Sequence, residues 1–160
     1  ATAEIAREVA ERLRARGHDV TQQPALNVAS VAGFDAVVLG SAVYVGRWLG
    51  DARALVERCA AELRERRVWL FSSGPIGDPP KPEVDPVDVA HMVELSGARG
   101  HRTFAGLVDH ARLGLGERAV IALVKAPEGD YRPWPAIGAW ADEIGDALAG
   151  GIATRVTAPA

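Results

Sequence analysis

The stretch AVVLGSAVYVGRW, residues 36–48, decides the fold of this chain. It opens with four apolar residues, 36–39, which is the pattern of a strand buried on both faces, and the run stops at Gly40. The loop that follows carries a hydroxyl, two aromatic rings and a flexible glycine: Ser41, Tyr44, Trp48 and Gly46. Because ligands bind outside the carboxyl ends of strands in an open parallel sheet, we predict that this loop forms one wall of a ligand site.

A second buried strand follows at residues 67–72, and it also ends in an unusual loop. Residues 72–82 contain so many glycines and prolines that they fit neither helix nor strand, so we predict a rigid turn that exposes its backbone. Carboxyl ends of parallel strands share one edge of a sheet. The two loops are therefore expected to point the same way.

The remaining periodicities alternate between helix and strand. Helices are predicted over 2–16, 49–63, 85–95 (capped by Asp85–Pro86) and 134–149, and further strands over 18–23 and 101–107. An apolar segment, 109–127, interrupts this alternation, and 150–160 resemble a frayed tail. The pattern predicts one α/β domain with a parallel sheet over residues 1–149, followed by a C-terminal tail, 150–160.

Composition excludes several classes of protein. The 160 residues are 48% hydrophobic and suffice for one domain with a full core. The sequence has neither an apolar run of about 18 residues nor a signal peptide, and its one cysteine, Cys59, lies on an apolar helix face, so a cytoplasmic location is expected. A net charge of −3 without a basic stripe argues against nucleic acid.

Three segments together resemble a known family. Residues 40–48, residues 71–78, and Gly129–Asp130–Tyr131–Arg132 leading into Trp134 resemble the flavodoxin-like fold, and more narrowly the flavodoxin-domain proteins grouped with menaquinone-dependent protoporphyrinogen dehydrogenase. The resemblance covers roughly residues 2–149. It implies a doubly wound parallel sheet in the order 2-1-3-4-5 with helices on both faces, and the segment before Gly129 lies where long-chain members interrupt their last strand.

The resemblance also implies FMN, held by a phosphate loop after the first strand and by the loops after the third and fourth strands. The matching positions are Thr2, Ser41, Ala42, Val43, Tyr44, Val45, Gly46, Trp48, Ser73, Gly74, Pro75, Ile76, Gly77 and Asp78. A flavin ring needs an aromatic or apolar face to stack on and backbone groups at its polar edge. Tyr44 or Trp48 is the expected face. Two other interpretations stay open: Trp48 is a core residue, or Tyr44 only anchors the loop. A deazaflavin in place of FMN also stays open.

One element of the family pattern is absent from the sequence. The first strand and nearly all of the phosphate loop are missing, with Thr2 as the last member, although that strand lies in the middle of the flavodoxin sheet. Its neighbours would then carry unpaired backbone groups. Three explanations compete: the natural protein has residues that this sequence lacks, another chain donates the strand, or FMN binding has been lost.

Residues for catalysis are not evident from the sequence. No Ser/His/Asp elbow, metal spacing or Walker loop is present, and structural roles are favoured for the histidines, with His101 and His110 the remaining site candidates. Arg47, Lys81 and Arg132 are expected near the site. They could meet an anionic substrate such as a porphyrin propionate, or they are solvated loop charges.

These features support three hypotheses for function. The first is an FMN-dependent oxidoreductase that acts on a protoporphyrinogen or a quinone-linked substrate. The second is a flavodoxin-type electron carrier with a protein partner, which the weak net charge of −3 disfavours. The third is a flavin-free interaction domain, which the missing phosphate loop favours.

Overall fold

The computed structural model describes residues 1–74, 85–108, 128–149 and 154–160. The helices are α1 (Thr2–Ala15), α2 (Gly50–Arg58), α3 (Ala60–Arg64), α4 (Val89–Ser96) and α5 (Trp134–Leu148), with a short 3-10 helix at Ala25–Asn27. The strands are β1 (Asp19–Gln23), β2 (Ala36–Tyr44), β3 (Arg47–Trp48), β4 (Arg67–Ser73), β5 (Gly100–Phe104), β6 (Leu107–Val108), β7 (Gly129–Asp130) and β8 (Arg155–Pro159). The predicted segment 109–127 lies outside the described residues.

Five of the described strands form a parallel sheet in the order β1-β8-β2-β4-β5. Strand β3 folds back against β2 as an antiparallel hairpin, and β6 pairs with β7 in a separate two-stranded ribbon. The prediction of an α/β fold with a parallel sheet is confirmed. The buried apolar runs of β2 and β4 lie side by side in the middle of the sheet. These runs are apolar throughout because helices cover both faces of the sheet.

Strand β8 corrects the prediction of a frayed tail at 150–160. It lies between β1 and β2, pairing Asp19 with Arg155 on one side and Ala36 with Val156 on the other. Val156 and Thr157 are fully buried. This place in the sheet is the one in which the family resemblance implies the first strand, and β8 supplies backbone partners for all of β1 and for Ala36 and Val37 of β2.

Each face of the sheet has its own apolar core. Helices α1 and α5 cover one face, in a core formed by Ile5, Val9, Leu13, Val38, Phe71, Phe104, Ile137, Trp140 and Ile144 among others. Helices α2, α3 and α4 cover the other face, in a core that includes Val37, Leu39, Trp48, Leu55, Leu63, Leu70 and Met92. The alternation of side chains along β2 and β4 sends successive residues to opposite cores.

Helices α1 and α5 approach closely because α5 presents two glycines to α1. A Cβ atom on Gly138 would lie 2.6 Å from the Arg12 guanidinium, and one on Gly145 would lie 2.3 Å from Arg16. The arginine side chains cross these glycines and end on carboxylates of α5. Arg12 bonds Asp142 at 3.0 Å, and Arg16 pairs with Asp146.

Several predicted boundaries differ from the structure. Strand β2 continues past Gly40 to Tyr44, because β4 pairs with residues 40–42 and the hairpin with β3 pairs with Val43 and Tyr44. The helix predicted over 49–63 is divided at Cys59, whose φ of −101° and ψ of 14° leave the helical region. Helix α4 begins after Asp88 rather than at Asp85, and it ends as predicted at Gly97, with φ +65°. None of the described helices combines the length and apolar character that crossing a membrane requires.

Candidate functional site

The loop after β2 is a tight hairpin at the carboxyl edge of the sheet. Tyr44 pairs with Arg47, and Val45 and Gly46 form the turn between them with φ of 50° and 71°. Positive φ at both turn residues matches the right-handed twist of the flanking strands, but it is an outlier for the β-branched Val45. Tyr44 is 41% exposed and Val45 71% exposed. The hairpin therefore presents an aromatic ring and an apolar tip to solvent.

Two predicted site residues of this loop lie inside the core instead. Ser41 is 2% exposed; its hydroxyl accepts a hydrogen bond from the Leu49 amide at 3.0 Å and donates to the Ala42 carbonyl at 2.9 Å. Trp48 is also 2% exposed. Of the two aromatic residues expected to cover a flavin ring, Tyr44 is accessible and Trp48 is not, so the core interpretation of Trp48 is confirmed.

A chain of polar side chains, buried at Trp48 and Ser72 and ending on the exposed Asp85, connects Trp48 to β4 and β5. The Trp48 indole Nε1 donates to the Ser72 hydroxyl at 2.8 Å, and that hydroxyl lies 2.8 Å from His101 Nε2. On its other side, His101 Nδ1 lies 3.8 Å from an Asp85 carboxylate oxygen, which accepts a hydrogen bond from Thr103 at 2.7 Å. We call Trp48, Ser72, His101 and Asp85 the polar chain.

Asp88 holds the hairpin from the other side. Its carboxylate accepts the Trp48 backbone amide at 3.2 and 3.3 Å, and Arg53 Nε lies 3.8 Å away. The neighbouring Val87 amide donates to the Gly46 carbonyl at 3.0 Å. The segment before α4 is thus bonded directly to the hairpin, which fixes the distance between the two.

The end of β4 packs against the same hairpin. Ser73 is 2% exposed, and the Gly74 amide donates to the Phe104 carbonyl at 3.3 Å. A Cβ atom on Gly74 would lie 2.8 Å from Val43 Cβ, so a glycine is needed where the two loops touch. The other site candidates of this loop, Pro75, Ile76, Gly77, Asp78 and Lys81, lie outside the described residues.

The first turn of α1 lies at this carboxyl edge as well. The Gln22 side chain, near the end of β1, donates to the Ala3 carbonyl at 3.0 Å. Thr2 opens the helix and is half-buried, and within the described residues no side chain caps α1. Free amides and the helix dipole at such an end favour an anion.

Arg132 joins the β7 segment to α1. It bonds both oxygens of Asp130 at 2.7 Å, pairs with Glu4 and stacks on the Trp134 ring with its Cζ atom 4.5 Å from the centroid. Hydrogen bonds from Arg132 lower the pKa of Asp130 to about 2. The Arg132 side chain is only 8% exposed and already neutralised, whereas Arg47 is exposed. Of the expected anion-binding residues, Arg47 alone is shown to be accessible among those described.

The described residues fit a flavin in part. The first turn of α1, the accessible Tyr44 ring and the backbone of Ala42, Val43 and Gly74 all lie at the carboxyl edge of the sheet. These are an anion-binding end, a stacking surface and polar backbone groups, which are the three parts that FMN requires. No group of three metal-ligating side chains occurs in the described part of the chain.

The polar chain is not apparent from the sequence. Ser72, His101 and Asp85 form no recognisable Ser/His/Asp motif along the chain, whereas the fold brings them together. Ser72 and His101 point to the same face of neighbouring strands, because β4 and β5 are paired with Leu70 opposite His101. The signal available in the sequence was a polar residue on the helix-covered face of each buried strand, but the strand pairing that joins them is a tertiary feature.

The parallel sheet, its strand order and the loops at its carboxyl edge define a flavodoxin-like α/β protein. The family model described as Flavodoxin domain matches residues 1–133, and the chain belongs to this family. Among solved structures, the chain is similar to rubredoxin oxygen:oxidoreductase from the anaerobe Desulfovibrio gigas, with a TM-score of 0.61 and 14% sequence identity. The match covers 92% of this chain and 33% of that protein, so the chain spans about a third of its length and shares its fold. The search of curated proteins gives no match.

Proposed function

We propose that this chain is an FMN-binding, flavodoxin-like redox domain. The observation that carries the proposal is the placement of the first turn of α1 and of the exposed Tyr44 hairpin at the same edge of the sheet, in a chain of the flavodoxin family. Such an edge of a doubly wound sheet is where nucleotide-like ligands bind. The flavin-free interaction domain has no comparable support from this geometry.

The residues of the edge suggest how FMN would be held. The first amides of α1, beginning at Thr2, would receive the phosphate, and Tyr44 would cover one face of the ring system. The backbone of Ala42, Val43 and Gly74 would meet the polar edge of the ring, and Ser41 and Trp48 would support the loop from the core. When bound, FMN supplies electron and hydride transfer; the protein orients it and excludes water.

For the reaction we propose an oxidoreductase that acts on a protoporphyrinogen or a quinone-linked substrate, in the cytoplasm. The resemblance of residues 40–48 and of Gly129–Asp130–Tyr131–Arg132 to the protoporphyrinogen dehydrogenase group supports this choice. The accessible Arg47 beside the hairpin suits an anionic substrate. A pure electron carrier is the second candidate, but a net charge of −3 provides little steering of a protein partner.

Visible absorption spectra with and without added FMN test the cofactor, after intact mass has established the N-terminus of the purified protein. Flavin bands near one equivalent support the proposal; protein that stays colourless with excess FMN or a deazaflavin overturns it. Turnover of protoporphyrinogen IX with a quinone acceptor then separates an oxidoreductase from a carrier. A carrier would be yellow and exchange electrons with redox proteins without turning over either small molecule.

A further inference from the structure

The hydrogen bonds of the polar chain are all satisfied when His101 is neutral and carries its ring proton on Nδ1. The Trp48 indole N–H can only donate, so the Ser72 oxygen must accept it. The Ser72 hydroxyl proton is then available for His101 Nε2, 2.8 Å away, which accepts it only when the ring is neutral. In that state Nδ1 carries the ring proton and faces Asp85.

The polar chain is suited to positioning the hairpin rather than to catalysis. Ser72 has 0% exposure, so no substrate reaches its hydroxyl. A proton entering through Asp85 and His101 could travel no further than Ser72, because the next group, the Trp48 indole, does not exchange a donor for an acceptor role. The polar chain instead connects the end of β3, at Trp48, to the end of β4, at Ser72, and to the start of β5, at His101.

We propose that neutral His101 is a positioning residue for the hairpin of residues 43–48, and that protonation of its ring loosens this hairpin. A protonated Nε2 would itself donate to Ser72, so the Ser72 hydroxyl proton would lose its acceptor in a fully buried place. The Ser72 oxygen would then accept two hydrogen bonds, from Trp48 and from His101, while its own proton would have lost the acceptor it has beside a neutral ring. Trp48, and with it the Tyr44 turn, would shift or lose its fixed position.

The charges around His101 agree with a ring that is neutral at pH 7. Burial lowers the pKa of His101, and the opposing effect of Asp85 is smaller. The charged groups near this region come from two places: Asp85 and Asp88 lie in the segment before α4, and Arg53 on α2 lies 3.8 Å from Asp88. On β4 the same face carries the uncharged Val68, Leu70 and Ser72.

The consequence for ligand binding rests on the proposed function. If Tyr44 covers a flavin ring, FMN affinity should fall as His101 becomes protonated, by about three- to tenfold, since one buried hydrogen bond in the support of the loop is lost. Any role of the hairpin in partner contact would acquire the same pH dependence.

The indole N–H resonance of Trp48 in ¹⁵N-labelled, FMN-free protein tests the proposal between pH 7.5 and 5. Its assignment comes from Trp48→Phe. We expect the wild-type resonance to move through one titration below pH 6.5. His101→Gln, whose amide oxygen can accept from Ser72 and does not titrate, should hold the resonance near its neutral position throughout. His101→Phe should displace the Trp48 resonance at every pH. His91→Gln, which replaces an exposed histidine, is the control, and its Trp48 resonance should move with pH as it does in the wild type.

A Trp48 resonance that is independent of pH in the wild type, or that titrates equally in His101→Gln, would overturn the positioning role. FMN titrations of the same variants at pH 7.5 and 5.5 address the proposed function separately. Failure to bind FMN at either pH refutes that function, while a titrating Trp48 still supports the positioning role. Binding that weakens in acid in the wild type but not in His101→Gln supports both.

Discussion

Gly40 of β2 lies directly opposite Phe71 of β4, and a Cβ atom on Gly40 would come within 2.0 Å of the Phe71 ring. That ring cannot easily move, since it packs edge-on against Trp140 at 5.8 Å and also contacts Phe104. Glycine at this position therefore lets three aromatic rings share the core beneath the candidate site.

Gly40→Ala should destabilise the domain, because the added methyl overpacks this aromatic cluster. We expect the free energy of unfolding to fall by about 1–3 kcal/mol or more, measured by urea denaturation. Gly33→Ala is the matched control, because a Cβ atom there meets nothing within 4 Å. Equal stability of the two variants would show that Phe71 has room to shift.

Val45→Asn should stabilise the hairpin. Valine at φ 50° is strained, whereas asparagine tolerates this region and Asn-Gly is a favoured pair in two-residue turns. Relief of the strain is expected to raise the free energy of unfolding by about 1 kcal/mol. Leu26→Asn, at a site with the same 71% exposure, should change it by no more than about 0.5 kcal/mol. A loss of stability in Val45→Asn would mean that the valine side chain makes a necessary contact.

Thr157→Val tests the buried environment of β8. The Thr157 hydroxyl is fully buried and has no hydrogen-bond partner among the described residues. Replacing it with a methyl group of similar shape should raise the free energy of unfolding by about 1 kcal/mol, because an unsatisfied hydroxyl is costly to bury. Thr103→Val, which removes a hydroxyl bonded to Asp85, should not stabilise the protein. Thermal melts of both variants test this prediction. A destabilised Thr157→Val variant would show that the Thr157 hydroxyl has a hydrogen-bond partner.

Asp130→Asn should change the acid stability of the protein. The pKa of Asp130 is lowered from 3.8 to about 2, so its carboxylate stabilises the fold above pH 3.8 and this contribution is lost as the pH falls toward 2. The variant should be less stable than wild type at pH 7, and the difference should narrow between pH 4 and 2. Asp19→Asn is the control, because the Asp19 carboxylate is 74% exposed and lies 4.0 Å from Arg155. The free energy of unfolding of this variant should stay close to that of the wild type. A constant difference at all pH values would argue against the lowered pKa.

The sequence predicted what local periodicity determines. The apolar runs of β2 and β4 and the amphipathic patterns of α1 and α5 are confirmed, because burial on one or both faces leaves a regular pattern in the chain. Strand β8 could not be recognised in this way. This strand has only five residues, and its partners, β1 and β2, are distant in the sequence.

The candidate site was predictable in outline only. The loop after β2 lies at the expected edge, but the exposure of Tyr44 and the burial of Trp48 follow from the β2–β3 hairpin, which the sequence did not indicate. The polar chain joins residues from four separate segments of the chain. The register of β4 and β5 brings Ser72 and His101 within hydrogen-bond distance, while Asp85 lies 3.8 Å from His101.

FMN binding at the edge of the sheet that carries the Tyr44 hairpin can be measured by fluorescence titration of FMN with the purified protein. We expect wild-type protein to quench FMN fluorescence to a sharp end point at one equivalent. Tyr44→Ala should bind about two- to tenfold more weakly, since an aromatic stack is worth about 0.5–1.5 kcal/mol, while Leu26→Ala binds as wild type. Absence of saturable quenching in the wild type would refute FMN binding, and equal FMN affinity of Tyr44→Ala and Leu26→Ala would refute the stacking of Tyr44 on the ring.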